Sequence, residues 1–193
     1  MFDYQALIDK FYPESQPELR RIYMKHATQV ADLAEDLNRA CRLGLDPEQV
    51  RGAAMTHDIG IFASDAKGIH CYGSEPYLRH GIIGAELLRK EGAPEEWARV
   101  AERHTGSGIT AEDVIMLDLP FPVADYCPVT MLEKLVCYAD KFYSKSGSMQ
   151  RKSFDRARMS IARHGSDALA RFDRLHELFT PADGPDPVQS NNS

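Results

Sequence analysis

Five stretches of this chain read as amphipathic helices, and each carries a histidine or an aspartate on the side that must face a core. That combination limits the fold more than any other feature, because a buried polar group is costly unless a partner meets it. His26 lies four residues after Ile22, four before Val30 and seven before Leu33. His57 follows Val50 by seven and Ala54 by three, and His80 precedes Ile83 by three and Leu87 by seven. His104 follows Trp97 by seven and Val100 by four, and Asp140 follows Val136 by four and precedes Tyr143 by three. Residues at these spacings share a helix face. Any one of them alone reads most simply as a core residue with one hydrogen-bonded partner. Four inward imidazoles and two inward carboxylates, with Asp58 included, cannot all satisfy one another cheaply. A divalent metal resolves the conflict, since neutral imidazole nitrogen and carboxylate oxygen are its ordinary ligands. Six ligands are too many for one ion with open positions and suit two. Asp58, with two oxygens, can bridge them.

The rest of the chain reads as helices broken by proline and glycine. Helices are expected over Tyr4–Tyr12, Pro17–Ala40, from Asp46-Pro47 to His57, Arg79–Lys90, and from Pro94 to His104. Residues 62–78 read as a loop. Residues 105–130 read as a long irregular segment of the kind that often forms a functional lid. Within it, Thr110 and Asp113 suggest a capping box for one short helix. Further helices are expected over Met131–Tyr143, Ser153–His164 and Asp167–Phe179. The expected architecture is all-α: one helical domain over 1–180, with a core at about 20–145, C-terminal helices at about 150–180, and a disordered tail at 181–193. An apolar face on the last helix (Leu169, Phe172, Leu175, Phe179) would cover the domain or make a homodimer.

Composition excludes several classes of function. The net charge of −6 leaves no global footprint for a nucleic-acid polymer. No apolar run is long enough for a membrane span. The acidic, amphipathic N-terminus lacks the form of a signal peptide, so a cytoplasmic location is expected. Cys41, Cys71, Cys127 and Cys137 form no C-x-x-C pair and read as reduced thiols, which argues against zinc held by cysteine. There is no G-x-S-x-G, P-loop or Rossmann glycine fingerprint.

The ordered set His26, His57-Asp58, His80, His104 and Asp140 resembles the HD superfamily of metal-dependent phosphohydrolases. His57-Asp58-Ile59-Gly60 matches the H-D-I-G signature letter for letter, and the resemblance covers roughly residues 20–145. The two additional histidines resemble the binuclear branch. The resemblance implies an all-α HD-domain bundle in which His26, His57, Asp58 and Asp140 hold one metal, and Asp58, His80 and His104 the second. It implies two divalent ions (iron or manganese, with nickel, cobalt, magnesium or zinc as alternatives) and a metal-activated water that cleaves a phosphate ester or anhydride. Two departures narrow the substrate. Many binuclear relatives carry a lysine just after H-D-I-G, where this chain has Ile61. The G-Y-P expected after His104 in cyclic-dinucleotide phosphodiesterases is replaced by T-G-S-G-I-T.

A small, phosphorylated, nucleotide-like substrate needs fixed positive groups. Lys141, adjacent to Asp140, is expected to act in catalysis or substrate binding, and Lys145 to follow one turn later on the same helix. Seven basic residues between Lys141 and Arg163 against one acid, Asp155, would form a positive rim or an ordinary solvated face. The loop with Thr105 and Ser107 could bring backbone N–H groups near a phosphate. Asp58 is assigned a catalytic as well as a metal-bridging role. Two other readings fit the same ligands: an HD-type di-iron oxygenase, and a non-catalytic metal- or nucleotide-binding module.

Overall fold

The structure, a computed structural model, describes residues 2–189. Helix formation follows the local chemistry. In α1 (Tyr4–Phe11) the Asp3 carboxylate accepts from the Ala6 N–H, and in α3 (Pro47–Thr56) Asp46 accepts from Glu48 while Pro47 opens the first turn. Between them, α2 (Pro17–Ala40) is the long helix expected from its stripe. It buries Ile22, His26, Val30, Leu33 and Leu37 along one side. α4 (His80–Lys90) and α5 (Glu95–Arg103) follow. The segment 105–130 contains α6 (Ala111–Met116), opened by the expected capping box, in which Thr110 accepts from the Asp113 N–H and Asp113 accepts from the Thr110 N–H. Then come α7 (Met131–Asp140), α8 (Phe154–Ala162) and α9 (Ser166–Leu178).

The architecture is all-α. α2 packs against α3 and α7, α5 against α3, α4 and α7, and the α8–α9 pair closes over α7 through α9. Glycine permits the two tightest approaches. A Cβ on Gly52 would fall about 2.0 Å from the Trp97 ring, so α3 and α5 meet without a side chain between them. A Cβ on Gly60 would lie 2.3 Å from the His80 carbonyl oxygen and 2.6 Å from the Gly84 nitrogen, which seats the start of α4 on the turn after α3. The apolar face of α9 is spent inside the chain: Phe172, Leu175 and Phe179 are buried around Tyr138 and Phe142, and Leu169 is half-buried.

Three local features differ from the sequence reading. The stretch 62–78 is not plain loop. It holds a two-strand hairpin, β1 (Asp65–Ala66) paired antiparallel with β2 (Cys71–Tyr72), and short 3₁₀ turns at Ile61–Ala63, Lys67–Ile69 and Tyr77–Arg79. Helix α7 stops at Asp140 instead of running to Tyr143. Of the tail expected to be disordered, residues 181–189 turn back on the bundle: Val188 is buried, and the Pro187 carbonyl accepts from Arg151. Residues 190–193 lie outside the described residues.

Candidate metal centre

The chain from α3 into α4 sets the centre of the cluster. Thr56 ends α3, its hydroxyl donating to the Gly52 carbonyl, and the chain turns tightly through His57, Asp58, Ile59 and Gly60. Two tyrosines fix that turn from behind. The Tyr12 hydroxyl donates to the Ile59 carbonyl at 2.9 Å, and the Tyr23 hydroxyl donates to the Met55 carbonyl at 2.7 Å. Their rings stack with centroids 3.9 Å apart. Asp58 is fully buried, and its two oxygens face different neighbours. Oδ2 lies 3.1 Å from His26 Nε2 on α2 and 3.2 Å from His57 Nε2. Oδ1 lies 3.3 Å from both His80 Nε2 on α4 and His104 Nε2 at the end of α5. Asp140, at the end of α7, puts Oδ1 3.0 Å from His26 Nε2 and 3.5 Å from His57 Nε2. The six residues thus form two groups that share Asp58: His26, His57, Asp58 and Asp140, and Asp58, His80 and His104. Within each, the donor atoms all lie within 4.8 Å of one another.

Hydrogen bonding decides whether this donor set suits a cation. The outer nitrogens of three imidazoles meet backbone carbonyls three residues upstream: His57 Nδ1 to Ala54 at 2.6 Å, His80 Nδ1 to Tyr77 at 2.6 Å, and His104 Nδ1 to Ala101 at 2.8 Å. A carbonyl only accepts, so each Nδ1 carries a proton; His80 and His104 are neutral and turn their Nε2 lone pairs inward, and His57 does so once it gives up its second proton. His80 Nε2 and His104 Nε2 then stand 3.0 Å apart, lone pair against lone pair. Burial pushes the His80 pKa down to about 3 and lowers that of His104, so neither relieves the clash by taking a proton near neutral pH. Asp58 Oδ1 and His26 Nδ1 are also buried without hydrogen-bond partners among the described residues. Inward lone pairs and carboxylate oxygens gathered in this way call for a positive ion, and the cluster fits a binuclear divalent metal site.

The charges around the cluster are unequal. Burial opposes the ionisation of Asp58, but Lys145 and His57 outweigh it and hold the carboxyl well below its usual range. Burial also works against Asp140, which Lys141, His26 and His57 nevertheless keep ionised. Burial pushes His57 down, yet Asp58 and Asp140 together raise its pKa to about 9.

Of the side chains expected to touch substrate, Lys145 is the one that brings its charge to Asp58. Its Nζ lies 2.6 Å from Asp58 Oδ2 and 5.8 Å from the Tyr77 ring centroid. It arrives from the loop after α7, not from one turn further along a helix. A pocket of about 440 Å³, bordered by Tyr77, Asp140, Tyr143 and Lys145, opens there. Lys141, expected in catalysis or substrate binding, takes a different place. It is buried, donating to Asp140 Oδ2 at 2.6 Å and to the His104 carbonyl at 2.8 Å, so it ties a candidate ligand of one group to the backbone of the other. Ser107 likewise is buried, its hydroxyl donating to the Ala168 carbonyl at 2.6 Å, a tie between loop and α9. Thr105 borders a second cavity beside the cluster. The basic run is partly spent elsewhere: Arg158 pairs with Asp173, and Lys152 donates to the carbonyls of Lys141 and Tyr143.

Tyr77 escaped the sequence reading. Its carbonyl orients His80, its ring stacks on that imidazole at 4.7 Å, and it borders both cavities. No spacing rule marks it, because it sits in a 3₁₀ turn within an irregular stretch.

Residues 23–144 match the family described as HD domain, and the chain belongs to that family. It is 40% identical over 120 residues to a protein of Methanocaldococcus jannaschii described as uncharacterized, covering 61% of this chain and 63% of that one. It is also similar to two proteins named tRNA (cytidine(56)-2'-O)-methyltransferase. Identity to the one from Picrophilus torridus is 34% over 141 residues (73% of this chain, 37% of the relative). Identity to the one from Thermoplasma volcanium is 27% over 186 residues (92% and 50%). The chain spans 37% to 63% of the length of these curated relatives. No solved structure matches.

Proposed function

We propose that this chain is a metal-dependent phosphohydrolase that cleaves a phosphate ester or anhydride of a small, nucleotide-like substrate. One observation carries the reading: a single buried carboxylate, Asp58, turns one oxygen to His26 and His57 and the other to His80 and His104. What two divalent ions supply at such a site is a water made nucleophilic near neutral pH and neutralisation of charge on the phosphate oxygens. The chain's own residues would do the rest. His26, His57 and Asp140 would hold one ion and His80 and His104 the other, with Asp58 common to both. Lys145, at the mouth of the pocket beside Asp140, would attract and orient the phosphate. Lys141 would act as a positioning residue that fixes Asp140. Tyr12 and Tyr23 would keep the His57-Asp58 turn rigid.

The relatives named as methyltransferases do not redirect this reading. The chain covers half or less of their length, and the residues gathered here are ones that could hold metal ions, with lysines beside them. The net charge of −6 likewise supports a small substrate over a nucleic-acid polymer.

The test is metal analysis of protein purified without chelator, followed by a phosphate-release screen of nucleotides and related esters with the metal found. About two ions per chain, with phosphate release lost on chelation and restored by that metal, is the expected result. A loaded protein that releases phosphate from none of these compounds would overturn the proposal.

A further inference from the structure

A second cavity, of about 320 Å³, lies between the core and the C-terminal helices, bordered by the loop after His104, by α6 and by α8 and α9. It is separate from the pocket that opens on Asp140 and Lys145, and Tyr77 borders both. Tyr77 also stacks on His80, and Thr105, at the cavity wall, directly follows His104. The cavity therefore begins one aromatic ring away from the His80–His104 end of the cluster.

Its chemistry differs from that of the phosphate pocket. Leu78, Ile109, Leu119 and Ile161 make much of the wall apolar. Its charges cancel: the Arg171 guanidinium donates to Asp113 Oδ2 at 2.8 Å and to the Gly108 carbonyl at 3.1 Å. No net positive charge is left there for a second phosphate. Thr105 and His164 add polar groups at the border, and one buried handle points from the wall, because Arg171 Nε has no hydrogen-bond partner among the described residues. An apolar, roughly neutral cavity with a donor at its wall suits a flat, uncharged group that carries acceptors on its edge. Its volume is at the small end of ligand sites, which run from about 300 to 1,000 Å³.

We propose that this cavity is the subsite for the nucleoside part of the substrate, a nucleobase with its sugar. The phosphate would lie across Tyr77, at Lys145 and the metal ligands. The inference rests on the phosphohydrolase reading above and deepens it: the scissile phosphate is attached to an uncharged heterocyclic nucleoside and not to a second anionic group.

Adenosine, guanosine, cytidine and uridine, which carry no phosphate, provide the probes. Each is titrated into the full chain while the amide resonances of Gly106, Gly108 and Ile109 are followed by NMR. At least one nucleoside should saturate, with shifts concentrated at residues 105–119 and 161–171. Ala168→Phe, which fills the cavity from α9, should weaken that binding by about tenfold or more. Leu117→Ala, at an exposed position on the cavity rim, should weaken it by about threefold while leaving the core intact. Met159→Ala, exposed and outside the cavity, should leave it unchanged. Absence of saturable shifts with all four nucleosides, shifts centred elsewhere, or binding insensitive to both cavity substitutions would overturn the proposal. Phosphate release from tripolyphosphate and from nucleoside monophosphates is measured separately on metal-loaded protein, so the two readings fail differently. Release without nucleoside binding removes the subsite and keeps the hydrolase; nucleoside binding without any release does the reverse.

Discussion

The two ends of the buried cluster share Asp58 and little else. At one end, Asp58 and Asp140 bring two carboxylates to His26 and His57, and lysines stand against both acids. At the other, His80 and His104 meet one Asp58 oxygen with no second acid among the described residues of that group. The first end offers four candidate ligands, with the Asp140 charge and a share of the Asp58 charge; the second offers three, with a share of the Asp58 charge alone. Affinity for a divalent ion follows ligand number and charge, so the ends should differ in how firmly they hold metal. An ion held by fewer protein ligands keeps more positions open for water and substrate. With metal bound, the four-ligand end would then favour retention and the three-ligand end exchange and access. The cavity beyond Tyr77 lies on the side of the second.

Asp58→Asn should break the comparison outright, because it removes the charge both ends share. Turnover should fall to background, and bound metal should drop from about two ions per chain to below one, read by elemental analysis. If the variant keeps full metal content and activity, Asp58 is not a bridge. Less drastic substitutions separate the ends. His104→Ala should leave about one ion per chain, whereas His26→Ala should cost the firmly held ion and, with it, most of the second. Equal losses in the two variants would mean the ends are not graded as their ligand counts imply.

The sequence made one side of this contrast plain and hid the other. Five of the six candidate ligands were legible from apolar helical stripes, because helix period converts directly into facing direction, and Asp58 from its place beside His57 in the H-D-I-G stretch. The bounds of α2 followed from Pro17 and from its unbroken stripe, and α6 from its capping box. Residues outside regular helices could not be read this way. The 65–72 hairpin pairs only two residues on each side and turns through His70 in the left-handed region, φ 59°, a position usually given to glycine or asparagine. Tyr12, Tyr23 and Tyr77 act through hydrogen bonds and stacking that exist only once distant segments meet. Lys141 is buried for a local reason that the sequence pattern did not show. A helix continued to Tyr143 would put Lys141 and Lys145 on one face, but α7 stops at Asp140, so the next residue folds inward and the loop delivers Lys145 separately.

That correction changes what Lys141→Ala should do. A substrate-facing lysine would alter kinetics with metal retained. A lysine that clamps Asp140 and the His104 carbonyl should instead cost metal affinity, by about 10- to 100-fold as for other outer-shell partners, with the four-ligand end weakened most. Lys145→Ala, in contrast, should keep both ions and raise KM for a phosphorylated substrate. Metal titrations of the two variants distinguish the roles: unchanged affinity in Lys141→Ala would return it to the substrate side.

The smallest effect, and the finest probe of the contrast, is the pH dependence of metal binding. The His57 pKa is raised from 6.5 to about 9, because Asp58 and Asp140 outweigh the burial that opposes its charge. In protein stripped of metal, His57 therefore keeps a proton across the neutral range, and an incoming ion must displace it. Affinity at the four-ligand end should rise with pH, about tenfold per unit for one proton released, and level off above about pH 9. The stability of the stripped protein has the opposite slope. A raised pKa favours the fold fully below pH 6.5, and that contribution is lost as pH climbs through about 9. His80, pushed down to about 3 by burial, and His104, lowered for the same reason, carry no such proton near neutrality. The three-ligand end should accordingly bind with little pH dependence between about pH 6 and 8. Isothermal titrations of His104→Ala and, at metal concentrations high enough to load its weakened remaining end, of His26→Ala, in buffers of differing ionisation enthalpy, would count the protons released at each end. About one proton in the first variant and close to none in the second is the expected pair. Equal counts would show that the second carboxylate does not set the two ends apart.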